Sequence, residues 1–217
     1  MADLLSKLWR ENRGFALFIV LMVVFRSSLA DWNVVPSGSM RPTIIEGDRI
    51  LVNKAAYDLR LPLTHFPLFT YAEPQRNDIV IFDSEAADMR MVKRVVGLPG
   101  EVVEMRDNRL IINGVAARYT VERQQGASLF ARERYAGLDH TIRIDLERAS
   151  PLRNFGPVRV PQDHYLVLGD NRDHSADSRV YGFIPRREIV GRSRQVVLSL
   201  DYDDYYLPRP ERFFKPL

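Results

Sequence analysis

The sequence predicts a mainly β protein with one β-containing insertion, led by a single apolar helix. Three observations carry that reading. Short runs rich in Val, Ile and Leu recur between residues 49 and 200, with Pro and Gly between them rather than inside them. One unbroken apolar run, residues 15–25, stands alone near the start, and no later run is long enough to span a bilayer. From about 103 to 157 the pattern shifts to dense charge with few sustained apolar runs, as in an excursion from a core sheet.

The apolar run contains no polar residue and follows Lys7, Arg10 and Arg13. Three readings fit it. Ser28-Leu29-Ala30 is small at both key positions of a cleavable signal peptide. A retained anchor fits if Arg26 snorkels to the headgroups and lengthens the span. A buried helix of a soluble domain fits a run this short. For either membrane reading the basic residues keep the N-terminus in the cytoplasm and place everything after residue 30 outside it. The strand runs follow at 49–53, 78–82 and 165–168, with a late strand at 194–200. Residues 102–105 and 109–112 read as a hairpin turning at Asp107-Asn108, and Asn113-Gly114 marks a second tight turn. Residues 150–157 look like a loop. The Tyr-, Asp- and Pro-rich stretch after Asp201 reads as a surface extension.

Composition excludes several function classes. Thirty-one Lys and Arg against 28 Asp and Glu leave no basic block for nucleic acid. The absence of cysteine excludes a disulfide scaffold, a thiol protease and a thiolate zinc site. No two of His65, His140, His164 and His174 have metal-ligand spacing, so no metal and no cofactor is expected. Only His174 lies in a chemically dense segment, which leaves little for a histidine-based triad.

Three segments carry chemistry. In residues 36–43, Pro36 and Pro42 bracket Ser37-Gly38-Ser39, fixing the backbone on both sides of a turn. Ser39 is a candidate nucleophile there, with its own N–H and the Ser37 hydroxyl as oxyanion donors. A Ser/Pro linker leaving an anchor reads the same way. In residues 91–100, Lys93 sits within an apolar strand. Lysine titrates near 10.4 in water, and desolvation is what brings it toward the working range of a base. Strand alternation puts Lys93 and Arg94 on opposite faces, so at most one is expected to face inward. In residues 169–179, alternating Asp and Arg permit charge-assisted pairs, and Ser175 is placed to hold a neutral lysine by hydrogen bond.

Together these segments resemble bacterial type I signal peptidase, the Ser-Lys protease family that removes signal peptides from exported proteins. The resemblance covers an apolar segment, then 36–43, 77–82, 93–100 and 169–182, in the family's order. It implies Ser39 as nucleophile and Lys93 as general base and later proton donor. It implies an oxyanion hole of Ser37 and the Ser39 N–H, with Ser175 orienting Lys93. Asp177 and Arg179 would form a supporting ion pair, with Asp170 and Arg172 also structural. Shallow pockets for small side chains at positions −1 and −3 would be lined by Val35, Pro36, Met40, Ile44, Met91 and Val92. Met91 departs from the aromatic residue common in some members, and Thr43-Ile44-Ile45 stands where Leu is commoner. The implied fold is a mainly antiparallel catalytic β core with a smaller inserted domain behind one transmembrane helix.

The organisation this implies is a cytoplasmic stretch 1–13, an anchor 14–34, a catalytic core of 35–102 and 158–200, a non-catalytic insertion 103–157 and a C-terminal extension 201–217. The expected partners are signal-peptide-bearing preproteins and the phospholipid membrane, with no nucleic acid and no metal. The expected place is the bacterial inner membrane, single-pass, with the catalytic domain on the periplasmic face. Anchoring favours the retained helix by confining enzyme and substrate to one surface. The alternatives are a relative dedicated to one precursor, such as a pilin-type substrate, a catalytically silent tethered binding protein, and a soluble Ser-Lys autoprotease of the phage-repressor type.

Overall fold

The computed structural model describes residues 2–64, 66–148 and 150–217, with side chains from residue 12 onward. His65 and the side chains of residues 1–11, with Lys7 and Arg10 of the expected cytoplasmic stretch among them, lie outside what is described. The chain opens as helix α1 (Ala2–Ser28), then β1 (Ala30–Val34) and β2 (Asp48–Asn53). A small hairpin of β3 (Asp58–Arg60) and β4 (Pro67–Thr70) precedes the long pair β5 (Ile79–Ser84) and β6 (Met89–Gly97). β7 (Val102–Arg106), β8 (Arg109–Ile112) and β9 (Val115–Ala116) follow, then β10 (Arg118–Gln125), β11 (Ser128–Tyr135), β12 (Leu138–Asp145) and β13 (Phe155–Arg159). β14 (His164–Leu168), the one-turn helix α2 (Ser178–Tyr181), β15 (Ile184–Pro185), β16 (Ile189–Asp201) and β17 (Leu207–Pro208) complete it.

The main sheet runs β1-β2-β16-β5-β6-β14-β15, with β17 on the end of β16. Its strands pair antiparallel. β5 shows why it holds together. Ile79, Val80, Ile81 and Phe82 are all at most 2% exposed, so this strand is covered on both faces. Ile79 and Ile81 pack with Met40, Ile44, Ile50, Val52 and Val196. Val80 and Phe82 pack with Val95, Val167 and Ile189. Each such side chain contributes about 1.5–3 kcal/mol on burial. The two predicted turns form, with positive φ at Asp107, Asn108, Asn113 and Gly114, the backbone that two-residue hairpin loops need.

The β-containing insertion is built as two small sheets, and the expected bounds of the anchor are corrected. β10, β11 and β12 form a sheet of their own, and β13-β7-β8-β9 forms another. β10 is exposed along nearly its whole length and carries polar residues on both faces, so no alternation marks it in the sequence. The anchor cannot run to residue 34. α1 stops at Ser28, and Ala30–Val34 is a strand paired with β2, its Asp31 held by Arg26 at 2.6 Å. Among the described residues no helix is long and apolar enough to cross a membrane. Ala30 is likewise paired with Asn53 rather than offered as a free cleavage site. The C-terminal extension lies mostly exposed and is tied down at two points: buried Arg212 pairs with Asp48 at 2.5 Å, and Leu217 packs on the core.

Candidate active site

Ser39 sits in a single 3₁₀ turn, Gly38–Met40, between β1 and β2. Met40 is buried and pins that turn to the core. The loop after β14 holds the serine backbone from the other side. Asn171 donates its N–H to Ser39 O at 3.0 Å and its Nδ2 to Gly38 O at 2.9 Å. Gly169 makes this approach possible, since a Cβ there would collide with Ser39 O and Ser175 Oγ.

Lys93 lies on β6 opposite Val80 and is 4% exposed. Its Nζ donates to Ser39 Oγ at 2.8 Å and to Val92 O at 3.1 Å. Burial lowers its pKa to about 8, against the opposing pull of the Asp177 and Asp170 charges. A lysine so placed is partly neutral near pH 7 and touches the hydroxyl it would deprotonate.

Both Lys93 and Arg94 are buried, against the expectation that at most one faces inward. Alternation does send them to opposite faces, but β6 is covered on both. Arg94 forms a two-pronged pair with Asp170 at 2.7 and 2.8 Å and donates to Asn77 O. Asp170 also accepts from Thr43 Oγ1 at 2.5 Å, four residues past the serine. Burial pushes the Asp170 carboxyl up, but Arg94, His140 and Thr43 outweigh it and hold the group below the usual carboxylate range. Arg172 pairs not with a neighbour in its own loop but with fully buried Glu133 of β11, at 2.6 Å. Tyr119 of β10 donates to the same carboxylate. His140 of β12 lies 3.4 Å from Glu133 and 3.7 Å from Asp170, and burial lowers its pKa to about 4, so it is neutral at pH 7. Asp177 pairs with Arg179 at 2.8 Å and accepts the Gly169 N–H at 2.9 Å.

An open cleft of about 860 Å³ surrounds the pair. One wall is β1 with residues 35–41; the other is the first half of β6. β1 ends the main sheet, and β14 pairs with β6 only from Arg94 onward. Residues 89–92 and β1 thus present free strand edges to the cleft. Val35, Pro36, Met40, Met91 and Val92 line it, as does exposed Ser37. Ile44 does not: it is 0% exposed in the core beneath. Ser175 is buried beside Gly169, and the hydrogen bonds of Lys93 go to Ser39 and Val92 rather than to it. The sequence reading missed the Asn171 clamp, although its segment was in view. It also missed Glu133, His140 and Tyr119, which no contiguous motif marks.

Residues 9–198 match the profile of a family described as signal peptidase, peptidase S26. The chain is 38% identical over 199 residues to signal peptidase I of Pseudomonas fluorescens, across 84% of this chain and 69% of that protein. It is 33% identical over 191 residues to signal peptidase I P of Bacillus subtilis subsp. natto, across 86% and 88%. A crystal structure of a signal peptidase I from Enterococcus faecalis V583 aligns at 32% identity and a TM-score of 0.37, covering 57% of this chain and 98% of that one.

Proposed function

This chain belongs to the signal peptidase family, the S26 serine peptidases, and from that premise we propose that it removes signal peptides from exported preproteins with Ser39 as nucleophile and Lys93 as base. The observation that carries the proposal is the 2.8 Å contact between Lys93 Nζ and Ser39 Oγ at the floor of the cleft. Neutral Lys93 takes the hydroxyl proton as Ser39 Oγ attacks the scissile carbonyl. The tetrahedral oxyanion lies against the Ser39 N–H and the Ser37 hydroxyl. The Lys93 ammonium then protonates the leaving amine, and a water, deprotonated by the same lysine, releases the acyl-enzyme.

The free edges of β1 and of residues 89–92 favour a substrate that binds extended, as an added strand between them. Small side chains at −1 and −3 suit walls built from Val35, Met40 and Met91, which exclude larger groups by volume. The neutral fraction of Lys93 sets the pH dependence. Below pH 8 the ammonium dominates, so kcat/KM for precursor cleavage is expected to fall about tenfold per pH unit. Above pH 8 it levels off. A profile flat from pH 6 to 9 would remove lysine as the base.

The proposal includes a membrane anchor in α1 and a catalytic domain on the outer face of the bacterial inner membrane. Residues 15–25 support it: of these, only the small Ala16 is even partly covered, and Phe15 is 66% exposed. Arg26 stacks over Trp32 at 4.5 Å where the helix ends, the arrangement of a headgroup boundary. The full chain is expected to float with phospholipid vesicles, and a Phe18→Glu/Leu21→Glu chain to stay behind. Equal flotation of both would count against anchoring by α1.

A further inference from the structure

Beyond the catalytic pair, the cleft wall holds a guanidinium that no carboxylate among the described residues pairs with. Of the arginines lining the cleft, Arg41 pairs with Glu46 at 2.6 Å and Arg90 with Asp83 at 2.6 Å. Arg143 of β12 lines the same cleft and has no carboxylate within 4.0 Å among the described residues. Its Nε donates to Ser128 Oγ at 3.0 Å, which fixes the plane of the group. Nη1 and Nη2, the outer prongs, have no hydrogen-bond partner among the described residues. The backbone beneath is also fixed: Arg143 donates its N–H to Asp170 O and bridges to Asn171, the residue that clamps Ser39. Asp145, two residues on, is occupied by His174 at 2.9 Å and by the N–H groups of Glu147 and Arg148.

The position of Arg143 decides which part of a substrate it meets. The free edges of β1 and β6 run up to Ser39 and Lys93 and stop there, because β14 occupies the edge of β6 from Arg94. A chain lying between them leaves past the catalytic pair, over Asn171, His174 and Arg143. Resting on the function proposed above, the signal-peptide side fills the paired stretch, so the segment passing Arg143 is the start of the mature protein. We propose that Arg143 is a specificity-determining residue that favours an acidic side chain among the first three residues after the cut. A pre-oriented guanidinium with two free prongs matches a carboxylate in two-point geometry and repels lysine or arginine.

The test uses one precursor, carrying Ala at the first three mature positions, and variants with a single Glu or Lys at each. At low salt, wild-type enzyme is expected to cleave the Glu form about fivefold better in kcat/KM than the Lys form at one or more positions, the range of a half-exposed ion pair. That ratio is expected to shrink toward one at high salt. Arg143→Gln should abolish the preference, Arg143→Glu should reverse it, and Arg143→Lys should retain part of it. Cleavage of the Ala form with equal rates for Glu and Lys at all three positions overturns the inference without touching the proposed function. A ratio that survives Arg143→Gln does the same. Failure of the wild type to cleave the Ala form overturns the function instead. The wild-type ratio and its salt dependence need no variant, so the inference stays testable if a substitution fails to fold.

Discussion

Ser39→Ala and Lys93→Ala are each expected to lower kcat for precursor cleavage by about 10⁴ or more while leaving the far-ultraviolet circular dichroism unchanged. The reason is geometric. Ser39 Oγ and Lys93 Nζ are one hydrogen-bonded unit, and neither has a substitute within reach. His174 is turned toward Asp145, and His140 is sealed behind the site. Groups that act as a unit are not additive, so the double variant should be no slower than either single one. Lys93→Met tests the same point with the volume of the buried side chain nearly kept, separating the loss of the base from the loss of packing. A Lys93→Met enzyme within tenfold of wild type would falsify the Ser-Lys mechanism.

The second large effect is on stability. Asp170→Ala leaves Arg94 buried at 3% exposure with its main counter-charge gone. Breaking one partner of a buried pair costs about 3–5 kcal/mol. The expected result is an unfolding free energy from urea titration lowered by that much, seen as a lower midpoint with the m-value little changed. Activity should fall as well, since Asp170 holds Thr43 on the serine segment and its neighbour Asn171 clamps the serine backbone. Arg187→Ala is the matched control, because its ion pair with Glu85 is 71% exposed on both sides and its loss should change the unfolding free energy by less than about 1 kcal/mol. Equal midpoints for the two variants would show that the Asp170–Arg94 pair contributes no more than a surface contact. Acid should act on the same network. Asp170, Glu133 and Asp177 are all held below the ordinary carboxylate range. Their contribution to stability is therefore present above about pH 4 and is lost as pH falls through their folded values.

Much of this was legible in the sequence, and the limits follow from what each signal measures. Alternation and turn chemistry located β2, β5, β6 and the hairpin at Asp107-Asn108, because half-buried strands and positive-φ turns select residue types locally. An exposed strand such as β10 selects almost nothing and so left little trace, and the buried Glu133 and His140 of β11 and β12 belong to no local motif. The end of α1 was misplaced for a related reason. Apolarity marks what avoids water, and Ala30–Val34 is made a strand by its pairing with β2 rather than by its own residues.

At the site, the sequence by itself determined the chemical types: a serine braced by prolines, a lysine inside an apolar strand, and an Asp- and Arg-rich block after β14. Local constraint and desolvation are properties of neighbours along the chain, so they can be read there. Only the tertiary structure decided who touches whom. It turned Lys93 and Arg94 to two covered faces, gave Asp170 to Arg94 and Arg172 to Glu133, put Ile44 beneath the cleft, and brought Arg143 of the insertion to its wall. Those partners lie tens of residues apart, and a buried charge is specified by whatever the fold places within about 3 Å of it.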